Sequence, residues 1–199
     1  MAAPTPPAEP AAPRAREGRR NWDALAAVVA ALIGFLALVV SGYTAYIQRQ
    51  QVRAQVWPFL VVGNDDLAQS VLVYNKGVGP AIVRTAQIWI DGKPRPDWQH
   101  VLDALGVAEP RRFIQSTLNP NVLTPGSELQ MIRFPDKEVW QHFRTQALHR
   151  MSMAVCFCST LDECWMYSDR HPVGYKAPTL LVQPVDRCPR LPVAEIFNN

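Results

Sequence analysis

Between Ala24 and Gln48 the chain carries no charged residue, and ALAAVVAALIGFLALVV within that run is almost wholly apolar. The run exceeds the roughly 20 residues a helix needs to cross a bilayer, so the pattern predicts one transmembrane α-helix. Trp22 stands at one end and Tyr43 with Tyr46 at the other. At 1.5 Å per residue these aromatics lie about 32 to 36 Å apart, the spacing of two interfacial belts. Ala27, Ala30, Gly34, Ala37, Ser41 and Thr44 recur alternately three and four apart. Small residues on one stripe let helix backbones approach closely, which predicts a left-handed self-association seam; chance in an Ala-rich helix is the alternative. Gln48, Gln51 and Gln55 carry the same spacing on into a short helical stalk. Pro58 ends it, because the residue before a proline avoids helical geometry.

From Trp57 onward the pattern changes. WPFLVVG, SVLVYN, AIVRTAQIWIDG, SELQMIRF, MAVCFCS and CWMYS are short runs rich in β-branched and aromatic residues, separated by Gly, Pro, Asn and Asp. Such runs predict strands, and their spacing predicts an antiparallel β-sandwich. Asp91-Gly92 and Pro125-Gly126 supply turns. DWQHVLDALG and DKEVWQHFRTQAL show helical periodicity instead; in the second, Val139, Trp140, Phe143 and Leu148 make the expected buried face. The fold class expected is therefore mainly β, an antiparallel β-sandwich with one or two short helices, preceded by one transmembrane α-helix. Three regions follow: a disordered Pro/Ala/Arg-rich tail over 1–21, the membrane helix and stalk over 22–56, and the β-domain with a C-terminal tail over 57–199.

VYNKGVGPAIV, from Val73 to Val83, interrupts the strand pattern. Gly77 and Gly79 tolerate positive φ and Pro80 cannot donate to a ladder, so Asn75, Gly77, Gly79 and Pro80 read as a structural turn, a bulged bend in a strand. A phosphate-binding loop is the functional alternative, but the GK[ST] ending and the helix start that would cradle phosphate are missing. NKGVGPA, preceded by a membrane helix, a Gln/Arg-rich stalk and a Trp-Pro pair and followed by CFCSTLDECW, resembles a group of uncharacterised proteobacterial single-pass membrane proteins. The resemblance spans most of residues 22–170 and implies no activity.

Charge sets the expected orientation. The net charge is only +3, too weak a field to argue for nucleic acid. Arg14, Arg16, Arg19 and Arg20 precede the helix, against Arg49 and Arg53 just after it. The positive-inside rule then places the N-terminus in the cytoplasm. High Arg, Ala and Pro usage suggests a GC-rich bacterial genome, so the expected address is the inner membrane with the β-domain in the periplasm. The rival is a cleavable signal peptide cut near Val40-Ser41-Gly42, against which the apolar region runs longer than a signal core.

Candidate chemistry concentrates in AVCFCSTLDECWMYS, which holds three of the 4 cysteines. A hairpin about Thr160-Leu161-Asp162 sets Cys158 opposite Cys164 and Phe157 opposite Trp165. Val155, Phe157, Trp165 and Tyr167 then share a core-facing side, and the cysteines share the other. Opposed residues lie within disulfide reach, whereas Cys156 and Cys158, two apart on a strand, do not easily bond each other. The pairing expected is Cys158 with Cys164 and Cys156 with Cys188, one of three connectivities, in an oxidising compartment. A four-cysteine zinc site is the alternative, although zinc usually takes CxxC knuckles. A redox thiol would want CxxC at a helix start.

Elsewhere His100, His142, His149 and His171 lack metal spacing, and neither HExxH nor GxSxG occurs. Asp162-Glu163 reads as a loop tip and Asp65-Asp66 as a solvated turn. No cofactor or metal and no catalytic activity is expected. The expected partners are the lipid bilayer, a second copy through the membrane helix, and an envelope protein, with no nucleic acid. Small-molecule sensing is the alternative role, predicting an aromatic-lined pocket.

Overall fold

A computed structural model describes residues 17–107, 112–170 and 181–198, with side chains from Trp22 onward. It is mainly antiparallel β with three helices. Helix α1, Glu17–Gln55, contains the apolar stretch Trp22–Gln55, long enough to cross a membrane. Residues 17–21 are helical, although they fall in the region expected to be disordered tail; residues 1–16 of that tail lie outside the described residues. The chain divides into two units, one up to Gln50 and one from Gln51 onward. The last helical residues, 51–55, thus belong with the β-domain.

In the β-domain, β1 (Leu60–Asp65), β2 (Ser70–Asn75), β5 (Ile114–Gln115) and β7 (Glu128–Arg133) form one sheet in the order β1-β2-β7-β5. The second sheet comprises β3 (Ala81–Ile90), β4 (Lys93–Arg95), β6 (Asn121–Leu123), β8 (Met151–Cys158), β9 (Cys164–Ser168) and β10 (Val182–Val185). Its order is β10-β9-β8-β3-β4, with β6 beside the start of β3. Buried side chains from both sheets form one core, from Leu60, Val71 and Val73 on one to Val83, Ile88, Val155 and Phe157 on the other. In β3 the register on β8 shifts between Val83 and Thr85, so the inward set becomes Ala81 and Val83, then Ala86, Ile88 and Ile90.

The short helices appear where their periodicity placed them. Helix α2, Trp98–Leu105, is capped by Asp97, whose carboxylate accepts from His100 N at 2.9 Å, and stopped by Gly106 at φ 71°. Helix α3, Lys137–Arg150, is capped by Asp136 and buries Trp140, Phe143 and Ala147. Leu148 is 63% exposed, contrary to expectation. Eight residues after Trp140 it lies about 80° round the helix, whereas Ala147 lies about 20° from it. Phe143 is the hub of an aromatic cluster with Trp98, Phe134 and Trp140 at ring distances of 5.0–6.4 Å. Phe197 joins through Trp98 at 5.2 Å, so the end of the C-terminal tail is core.

The Asp91-Gly92 turn between β3 and β4 has positive φ at both residues, 52° and 77°. Arg150 Nη2 donates to Asp91 Oδ2 at 2.7 Å and to Ala104 O at 2.8 Å, joining this turn to α2 and α3. The Arg150 hydrogen bonds hold the Asp91 carboxyl below its usual range. Its stabilising contribution is therefore present above the unfolded carboxylate range near pH 4 and lost as pH falls through the lower folded value. Urea midpoints between about pH 5 and pH 2 should fall more steeply in the wild type than in Arg150→Gln; parallel curves would contradict this.

Candidate functional site

The NKGVGPA segment is not a bulge within a strand. It carries the chain from β2 in one sheet to β3 in the other, and it grips the segment that follows α1. Neither Gly77 nor Gly79 has positive φ. Glycine is required here for close approach: a Cβ on Gly77 would lie 2.5 Å from Trp57 O and 2.6 Å from Pro58 C, and one on Gly79 would overlap the Val56 backbone. The N–H groups of Val78 and Gly79 both donate to Trp57 O at 3.0 Å, and Lys76 N donates to Phe59 O at 2.8 Å.

Asn75 closes this joint. It is 1% exposed, and its amide oxygen accepts from Phe59 N at 3.2 Å and Gly77 N at 3.0 Å. Its amide nitrogen donates to Gly79 O at 2.8 Å and Leu123 O at 3.0 Å. Only an amide offers two donors beside an acceptor on one short, planar side chain. Its backbone pairs as well, with Ser127 and with Gly126, whose φ of 72° makes the predicted Pro125-Gly126 turn. Asn75 thus ties the post-helical segment, the sheet crossover and β6 together. Gly79→Ala should cost about 1–3 kcal/mol or more, because the obstructing atoms are backbone and cannot rotate away. Limited proteolysis of membranes should then cut between Gln51 and Phe59, and a cleavage pattern unchanged from wild type would refute the close-approach account.

The cysteine hairpin stands at the same end of the sandwich. Strands β8 and β9 pair Cys158 with Cys164 and Phe157 with Trp165. Both disulfides are formed: Cys158–Cys164 with Cα atoms 4.0 Å apart and Cys156–Cys188 with Cα atoms 5.6 Å apart. After β10 the chain doubles back, bringing Cys188 across β9 to Cys156 on β8. Val155, Phe157 and Tyr167 are buried, but so are Cys156 and Cys158, so both sides of β8 are covered. At the hairpin tip Asp162, at φ 57°, faces Arg84 Nη2 at 3.4 Å, and Glu163 pairs with Arg53 Nε at 2.8 Å. Arg53 belongs to the last helical turns, so the post-membrane segment is held by the crossover and by the hairpin.

The sulfurs of Cys158, Cys164 and Cys188 lie within 4.8 Å of one another, a grouping of metal-ligand type among the described residues. Paired as disulfides they offer no thiolate, the form in which cysteine binds zinc. Burial raises the Tyr167 hydroxyl pKa beyond its usual range, so this ring stays neutral.

The remaining candidates are structural. His100 Nδ1 bonds Asp97, His142 Nε2 reaches Gly106 O, His149 is exposed, and His171 lies outside the described residues. Asp65 makes the expected turn by accepting from Leu67 and Ala68. Asp66 has a partner the sequence did not indicate: its carboxylate accepts from Trp140 Nε1 at 3.1 Å and Arg144 Nε at 3.2 Å. A surface hollow of about 620 Å³ opens there, lined by Asp66 and by Lys137, Trp140, Gln141, Arg144, Thr145 and Leu148 of α3, with Trp140 its one aromatic. The seam residues Ala27, Ala30, Gly34, Ala37, Ser41 and Thr44 are exposed along α1, and Thr44 Oγ1 is satisfied by Val40 O at 2.8 Å.

No family model, curated protein or solved structure matches the chain. The long apolar helix and the two disulfides fit a single-pass membrane protein with a disulfide-stabilised domain.

Proposed function

We propose that this is a bacterial inner-membrane protein, N-terminus in the cytoplasm, which displays its stapled β-domain in the periplasm as a non-enzymatic module for binding another envelope protein. The arginine bias before the helix supports the orientation, and two disulfides in the domain after it support an oxidising compartment. The observation carrying the interaction role is apolar exposure at the joint and at the hairpin tip: Trp57 and Val78 are 44% and 60% exposed at the first, and Leu161 is 46% exposed at the second. The small-residue stripe of α1 supplies self-association in this reading, and the resemblance to the proteobacterial membrane group belongs to it.

Fusions of alkaline phosphatase and of a fluorescent protein to the C-terminus test the topology. Active phosphatase with a dark fluorophore is expected, and the reverse would overturn the address. A photo-crosslinking residue at Leu161 tests the interaction role, with Leu67, 97% exposed in the turn between β1 and β2, as control. A discrete adduct in membranes is expected only from the first, and identical patterns from both sites would remove the support. Gly34→Leu should abolish oligomers in mild detergent if the stripe is a seam.

A further inference from the structure

The two bridges touch. Cys158 Sγ lies 3.7 Å from Cys188 Sγ, sulfur to sulfur across two different disulfides. Cys156 and Cys158 are buried at 0% and 3% exposure, while Cys164 and Cys188 are half-buried. Each bridge therefore joins a fully buried residue to a partly buried one, and the contact runs between the fully buried member of one and the partly buried member of the other. Disulfides rearrange by attack of a thiolate on a neighbouring disulfide sulfur, so reach decides which exchange occurs.

From this contact we infer that the four cysteines form a thiol–disulfide switch, thrown once per chain by a dithiol reductant and not turned over, whose one-bridge state is Cys158–Cys188. The inference rests on both native bridges being formed, as in the stapled reading above. A dithiol that opens Cys158–Cys164 leaves as its own disulfide, having delivered two electrons and two protons. The Cys158 thiolate then attacks Cys188 Sγ; the Cys158–Cys188 bond forms, the Cys188–Cys156 bond breaks, and Cys156 leaves as a thiolate and takes up a proton. If the dithiol opens Cys156–Cys188 instead, the Cys188 thiolate attacks Cys158 Sγ and Cys164 is the leaving thiolate. Both routes end with one new bridge, two thiols at Cys156 and Cys164, and one oxidised dithiol.

The product differs mechanically from either native bridge alone. Cys158–Cys188 keeps the C-terminal segment pinned to β8, yet it frees Cys164 and with it the closed hairpin whose Glu163 holds Arg53. A single two-electron event thus loosens the contact between hairpin and post-membrane segment while the tail remains attached.

The test is bridge mapping on the full chain extracted from membranes, quenched by alkylation and read by mass spectrometry. Cys164→Ser places a lone Cys158 thiol beside Cys156–Cys188, and Cys156→Ser places a lone Cys188 thiol beside Cys158–Cys164. The expected result is a shift of the free thiol, to Cys156 in the first variant and to Cys164 in the second, with a Cys158–Cys188 peptide in either sufficient support. Retention of the thiol on Cys158 and on Cys188, with no such peptide in either, overturns the inference. If neither variant accumulates, wild-type protein titrated with limiting dithiothreitol gives the same readout, the Cys158–Cys188 peptide being expected in the half-reduced fraction and its absence there being the overturning result. Full labelling of all four cysteines before any reductant is added would remove the stapled reading and the switch together, whereas native bridges without exchange remove only the second.

Discussion

Asn75→Ala is expected to destabilise the β-domain by about 4 kcal/mol or more, a large share of the 5–15 kcal/mol that holds a typical domain together. The substitution removes no apolar surface of consequence. It leaves Phe59 N, Gly77 N, Gly79 O and Leu123 O without the partner that satisfies them. A buried polar group deprived of its partner costs about 1–3 kcal/mol, and here four lose theirs at once. Asn75→Asp separates the two halves of the network. A carboxylate still accepts from the two N–H groups, but it presents negative charge to two carbonyl oxygens that need donors. At neutral pH it should therefore be at least as damaging as alanine, and acidification should partly restore it by supplying one O–H donor. Unfolding of the full chain in mild detergent, followed by tryptophan fluorescence, gives both values. A loss below about 1 kcal/mol for the alanine variant would mean that water replaces the amide.

What the sequence revealed of this end of the molecule follows from how local each feature is. The cysteine hairpin was legible because a turn of fixed length determines which residues of β8 and β9 face each other, and two-residue alternation then sorts the side chains. Its coverage on both sides was not legible, since that depends on the path by which Cys188 returns across β9. The joint was half legible. Gly and Pro within a hydrophobic pattern marked an irregular backbone, but they suggested conformational freedom, whereas the requirement at Gly77 and Gly79 is space for Trp57 and Val56. Asn75 could be singled out, yet its partners lie at positions 59, 77, 79 and 123, and no periodicity connects these. Arg53 with Glu163 and Asp66 with Trp140 were hidden for the same reason, being pairs that only the sandwich topology brings together.

The helix boundaries show the complementary limit. Hydropathy located the apolar run, but it could not show that residues 17–21 are helical or that residues from Gln51 onward fold with the sandwich. The Arg53–Glu163 pair and the backbone bonds from the NKGVGPA crossover to Trp57 and Phe59 tie that segment to the sandwich. Exposed Trp57, Val78 and Leu161 support the interaction reading, whereas the hollow on α3, with Trp140 as its one aromatic, lacks the aromatic lining that a sensing site would need.

Removing the long bridge should cost more than removing the short one, even though the short one sits in the hairpin. Cys156 and Cys188 are 32 residues apart in sequence and Cys158 and Cys164 only 6. Closing loops of these sizes in the unfolded chain corresponds to stabilisation of about 4 kcal/mol and about 2 kcal/mol respectively. The paired variants Cys156→Ala/Cys188→Ala and Cys158→Ala/Cys164→Ala isolate each bridge, because neither leaves a stray thiol able to rearrange the other. The strand ladder supports the same order: β8 and β9 pair at five positions regardless of the hairpin disulfide, whereas the segment after β10 has Cys156 as its covalent hold on the sheet. Denaturant midpoints of the two variants, measured against wild type with and without reductant, decide it. Equal losses, or a larger loss from the short bridge, would show that the disulfides act through native-state strain or packing rather than by restraining the unfolded chain, and the structural role assigned here to Cys188 would then have to be given up.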